Sequence, residues 1–83
     1  MLNDYIGRFT LPGAMFDVTL ANGQLAVQLI GQPSFPVYPI AKDKFFYKVV
    51  DAQIDFERDP SGVVIALVLH QNGRDMRAPR VVP

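Results

Sequence analysis

Apolar and polar residues alternate along most of this chain, in short runs separated by turn residues. Tyr5, Gly7, Phe9 and Leu11 occupy every second position, which predicts a strand over 5–11 with one buried face. Pro12-Gly13 turns the chain. Phe16, Val18 and Leu20 then alternate with Asp17, Thr19 and Ala21, a half-buried strand. Asn22-Gly23 follows, a strong hairpin signal because both residues tolerate positive φ. Leu25, Val27 and Leu29 alternate with Ala26 and Gln28 on the return, and Gly31-Gln32-Pro33 breaks the pattern.

The second half is less regular. The run 35–40 contains Pro36 and Pro39, and proline cannot donate to a ladder, so this segment reads as an edge strand or an irregular one. The run 45–50 is aromatic and β-branched. Ile54 and Phe56 alternate with Gln53, Asp55 and Glu57, and Asp59-Pro60-Ser61-Gly62 has the make-up of a turn. Residues 63–69 form a nearly continuous apolar strand whose polar phase changes, which predicts a bulge near Ala66. Asn72-Gly73 makes another hairpin, with a last short strand over 74–77.

One stretch, 40–59, has neither Gly nor Pro, and Phe45, Val49, Ala52 and Phe56 fall at helical spacing. Two short strands turning near Asp51-Ala52 are the preferred reading. The segment is rich in β-branched and aromatic residues, and Phe46, Tyr47, Val50 and Ile54 lie off the helical stripe. The expected fold is therefore all-β: an antiparallel meander of seven or eight short strands closing into a small barrel or half-barrel. Its expected interior is Phe9, Val18, Leu25, Val27, Phe56, Leu67 and Leu69.

Composition narrows the function. The chain has 83 residues, 49% hydrophobic and 19% charged, which suits one small folded domain rather than a disordered segment. Eight basic residues balance eight acidic ones, against a nucleic-acid binder. No apolar run is long enough to span a bilayer, so no membrane insertion is expected of this segment. The first residues show no basic stretch followed by an apolar one, so no signal peptide is visible, and the tight edges suit an excised or appended domain. There is no cysteine, hence no disulfide and no thiol chemistry. A mean hydropathy of +0.15 is high for so small a domain and points to apolar surface that a partner covers.

Candidate chemistry is sparse, and no catalytic, cofactor or metal residue is expected. Ser34 or Ser61 with His70 and an aspartate is a formal triad, but no Gly-x-Ser-x-Gly turn presents a nucleophile. His70 is the single histidine, too few for a zinc site, and reads as a strand-end residue bonded to backbone. Asp55, Glu57 and Asp59 fail the calcium-loop pattern at Pro60 and Ala66 and read as one solvated face. Arg74, Arg77 and Arg80, offset by Asp75, read as a solvated basic edge. Phe35, Tyr38 and Phe46 are the aromatics hardest to place inside a filled barrel, so they are the expected surface patch. With His70 and Arg74 they form the candidate contact set for a partner or ligand.

The order of short motifs is more specific than any one of them. Tyr5-x-Gly7-x-Phe9, Gly23-x-Leu25-x-Val27, Gly31-Gln32-Pro33, Pro39, Phe45-Phe46 and Phe56 lead to Gly62 and to Leu67-x-Leu69-His70-Gln71-Asn72-Gly73. In this order, from about Leu2 to Arg80, the chain resembles a bacterial domain of unknown function found at the C-terminus of serine hydrolases of the penicillin-binding-protein and class C β-lactamase type. The resemblance implies a lipocalin-like barrel or half-barrel and a periplasmic or cell-envelope setting. It implies a non-catalytic accessory role beside a serine-hydrolase-type domain of the same polypeptide, or in a homo-oligomer. A similar module helps assemble the oligomer of an archaeal self-compartmentalising peptidase. The catalytic residues of such proteins lie in the preceding domain, so none carries over. The rival expectation is a free-standing carrier of an apolar ligand.

Overall fold

The computed structural model describes residues 2–82. A short 3-10 helix, Leu2–Tyr5, leads into eight strands: β1 (Gly7–Leu11), β2 (Ala14–Ala21), β3 (Gln24–Leu29), β4 (Ser34–Ala41), β5 (Lys44–Tyr47), β6 (Ala52–Arg58), β7 (Val64–Gln71) and β8 (Arg74–Pro79). Each strand pairs antiparallel with the next in chain order. The ends of the meander then approach: Phe9 bridges Arg80, and the Val81 amide donates to the Arg8 carbonyl at 2.8 Å. The result is a nearly closed all-β barrel.

The turn chemistry explains the hairpins. Asn22 and Gly23 have φ of 54° and 76°, and Asn72 and Gly73 have 54° and 73°. Positive φ at both central positions matches the right-handed twist of the flanking strands. The 40–59 segment is two strands, as its side chains demand, but the chain bends at Lys48–Asp51, just before the expected point. A turn at Lys42-Asp43, with Asp43 at φ 61°, has no glycine or proline to announce it. On β7 the register slips between the pairs Glu57↔Ala66 and Arg58↔Val64, so Ile65 is the extra residue of a bulge.

β4 lies inside the sheet, between β3 and β5, so the edge alternative for 35–40 is corrected. Its irregularity is what admits the prolines. β3 pairs only with Ser34–Pro36, and β5 only from Val37 onward. Beyond the β3 ladder the Gln24 side-chain amide donates to the Val37 carbonyl at 2.8 Å, so Val37 points its polar groups toward β3. Alternation then aims position 36 toward β5 and position 39 toward β3. Each proline thus lacks its N–H on the side where that ladder has ended.

The barrel interior holds all seven expected core residues. Tyr5, Phe16, Val37, Phe45, Ala52, Ile54, Val64 and Ala78 join them in the core. Tyr5 does not open the first strand as its spacing suggested. It ends the 3-10 helix, 5% exposed, and plugs one end of the barrel.

Candidate functional site

The outer face of β5–β8 carries the charge. Lys44 Nζ donates to Asp55 Oδ2 at 2.9 Å, and Gln53 donates to Asp55 Oδ1 at 3.0 Å. His70 lies between two carboxylates, with Nε2 3.1 Å from Asp55 and Nδ1 2.6 Å from Asp75. The expectation of a backbone-bonded histidine is corrected: two neighbouring strands present aspartates to the ring. The hydrogen bond to Asp75 is the main cause holding the His70 pKa above its ordinary value. Burial opposes ionisation of Asp55, but hydrogen bonds from Gln53, Lys44 and His70 outweigh it and leave the carboxyl below its usual range.

The structure does not pair His70 with Ser61. Both ring nitrogens of His70 face carboxylates, and Ser61 Oγ donates to Asp59 at 2.7 Å in its own turn. Asp59 also accepts from the Ser61 and Val63 amides, so it shapes that turn rather than joining Asp55 and Glu57 on one face. Glu57 accepts from Arg77 at 3.0 Å. Among the described residues no group of three His, Asp or Glu side chains is placed to hold a metal ion. The two aspartates of the His70 cluster lie against different ring nitrogens.

The candidate contact residues divide between two faces. Phe46, His70 and Arg74 line one shallow outer groove of about 370 Å³. Tyr38 joins its rim: its ring lies 5.8 Å from that of Phe46, and Lys48 Nζ caps it at 4.1 Å. Phe35 is elsewhere. It pairs in register with Val27, whose side chain is interior, so Phe35 faces inward at the open end of the barrel. The expected three-aromatic surface patch is therefore a pair.

Two features were not anticipated. The first is the sealed end, where the Tyr5 hydroxyl donates to Asp43 at 2.6 Å and Arg58 donates to both Asp43 oxygens. The second is Arg80, which is no solvated edge. Its guanidinium donates to the Val64 carbonyl at 2.9 Å and to the Ile6 carbonyl, and lies over the Phe9 ring. Gly7 makes room for it: a Cβ there would stand 3.1 Å from Arg80 Nε, on a backbone with φ of +150°. Beside this latch runs an apolar groove of about 560 Å³ along the β1–β8 seam, lined by Ile6, Val63, Ile65, Val81 and Val82. Those five residues are 38–84% exposed. Residue types alone hint at this only through Val63, Ile65 and the Val81-Val82 pair.

No family model, no curated protein and no solved structure matches this chain.

Proposed function

We propose that this chain is a non-catalytic packing module. In this reading the seam groove is covered by a serine-hydrolase-type domain of the same polypeptide or by a second copy of the chain. The observation that carries the reading is the clustering of five large, exposed aliphatic side chains at the seam. Aliphatic surface gathered in one groove favours burial against another protein.

The interior supports the same reading over a lipocalin-like carrier of a long-chain ligand. Phe9, Leu25, Ile54 and Leu67 fill the barrel, each below 2% exposed. The polarity also suits a domain with a watery exterior. Apolar residues face in and Lys44, Asp55, Glu57 and Arg77 face out, the reverse of a membrane-spanning barrel.

Sedimentation of the chain at high micromolar concentration tests the proposal. Reversible self-association that disappears in Ile65→Asp and Val82→Asp variants, with an unchanged far-UV spectrum, is expected for the second-copy arm. A strictly monomeric chain removes that arm. Turnover of a simple ester or a β-lactam that is lost in Ser61→Ala or His70→Ala overturns the non-catalytic reading.

A further inference from the structure

The barrel end opposite Tyr5 is open, and no charged side chain lines it. Gln32 and Pro33 from the loop after β3 and Val50 from the Lys48–Asp51 bend line it. Beneath them lies a cavity of about 140 Å³ walled by Phe16, Val27, Leu29, Phe35, Tyr47 and Leu69. The void has a clear origin. Ala52 sits at an inward position in register with Gln71, while other strands supply Phe16, Phe35, Tyr47 and Leu69.

We propose that this open end is a binding site for one small, uncharged ring, of the size and chemistry of benzene or phenol. The volume sets the size. An apolar cavity of roughly 150 Å³ stays dry and accepts benzene, whereas sites for drug-sized ligands begin near 300 Å³. The lining sets the charge. No Asp, Glu, Lys, Arg or His contributes to the wall; its polar side chains are Gln32, Gln71 and Tyr47, of which Tyr47 alone is ionisable. Burial pushes the Tyr47 hydroxyl up to about 12, so the wall stays neutral across the physiological range. A carboxylate or ammonium entering it would lose its hydration with no counter-charge in return. The rim sets access. Val50, 45% exposed, lies on the lining, and Ile30 and Val49, 50% and 57% exposed, belong to the loop after β3 and to the Lys48–Asp51 bend. The site is independent of the seam groove and does not rest on the packing proposal.

Titration of the isotope-labelled chain with benzene, followed by amide chemical shifts, is the test. Saturable shifts confined to the open end, at Leu29, Phe35, Tyr47, Ala52 and Leu69, are expected. Benzoate at neutral pH should bind at least about tenfold more weakly than benzene, because its charge has no partner in the wall. Ala52→Leu should fill the void and abolish saturable binding while the melting temperature stays within a few degrees of the parent. Leu29→Phe, at the half-buried rim, serves as a second filling variant should Ala52→Leu fail to fold. Shifts that grow linearly without saturating, shifts centred on the seam, or benzene binding that survives the filling substitutions would each overturn the site.

Discussion

The two ends of this barrel are built from opposite materials. At the sealed end the Tyr5 ring stacks on Phe56 at 4.4 Å and meets Phe45 edge-on at 5.2 Å. Its hydroxyl is held by Asp43, which is held in turn by Arg58, and Arg80 latches the seam nearby. At the open end, among the described residues, no charged side chain lines the cavity. A small void remains there, with Val50 exposed on its lining. A barrel end closed by aromatic stacking and charge-assisted hydrogen bonds is fixed in place, because breaking one partner strands the others. An end closed only by side-chain contact lacks that mutual restraint. The same small fold thus separates the region that holds it together from the regions free to meet something else.

The comparison can be broken most severely at Phe56, which touches Tyr5, Phe9 and Phe45. Phe56→Ala should cost about 3–5 kcal/mol in chemical denaturation. A domain this small has a total stability of order 5 kcal/mol, so the variant should be close to unfolded. Melting within a few degrees of the parent would show that the sealed end is not the anchor.

Arg80→Met keeps the length of the side chain but removes its bonds to the Val64 and Ile6 carbonyls. It should destabilise by about 1–3 kcal/mol and speed amide exchange at Val81, whose hydrogen bond closes the seam. Gly7→Ala should do the same through strain and the clash with Arg80, and an unchanged Val81 exchange rate in both would remove the latch. Tyr5→Phe deletes one hydrogen bond to a partly exposed carboxylate and should cost about 1 kcal/mol, far less than Phe56→Ala.

The charged outer face makes a prediction in pH rather than in absolute stability. His70 has a raised pKa in the folded chain, chiefly through Asp75, so its contribution is fully present below the ordinary value of 6.5. That contribution is lost as pH rises through the folded value. The chemistry agrees: a protonated ring donates to both Asp55 and Asp75, and a neutral ring to only one of them. Asp43 and Asp55 behave in the opposite sense. Their folded pKa values are lowered despite burial, by hydrogen bonds from Tyr5 and Arg58 and from Gln53, Lys44 and His70 respectively. Their contribution is present above the ordinary value of 3.8 and is lost as pH falls through the depressed values. Thermal melts across pH should show both flanks, and His70→Gln should flatten the alkaline one. The smallest effect is expected at the open rim, where Val49→Ser should change stability by no more than about 0.5 kcal/mol.

What the chain announces locally is what the fold obeys locally. The two Asn-Gly pairs fix two hairpins because only residues tolerant of positive φ can sit there. The period-two runs fix which residues face inward, and every residue of the expected core is interior. The bulge at Ile65 shows in the phase change along 63–69. The Lys42-Asp43 turn escapes such reading, since neither residue demands a left-handed backbone.

The sites depend on distance along the chain. Tyr5 and Asp43 are 38 residues apart, and Arg80 reaches the carbonyls of Val64 and Ile6 across 16 and 74 residues. No local pattern encodes such pairs, because they form only after the meander has curled and brought its ends together. The same holds for Phe35. Its character marks it as apolar in any context, but only the register opposite Val27 decides that it faces the void and not the surface. Local sterics and alternation therefore determined the strands, the hairpins and the interior. Barrel closure alone decided which charges meet, which end is sealed and where a cavity remains, because those properties belong to side chains from strands distant in sequence.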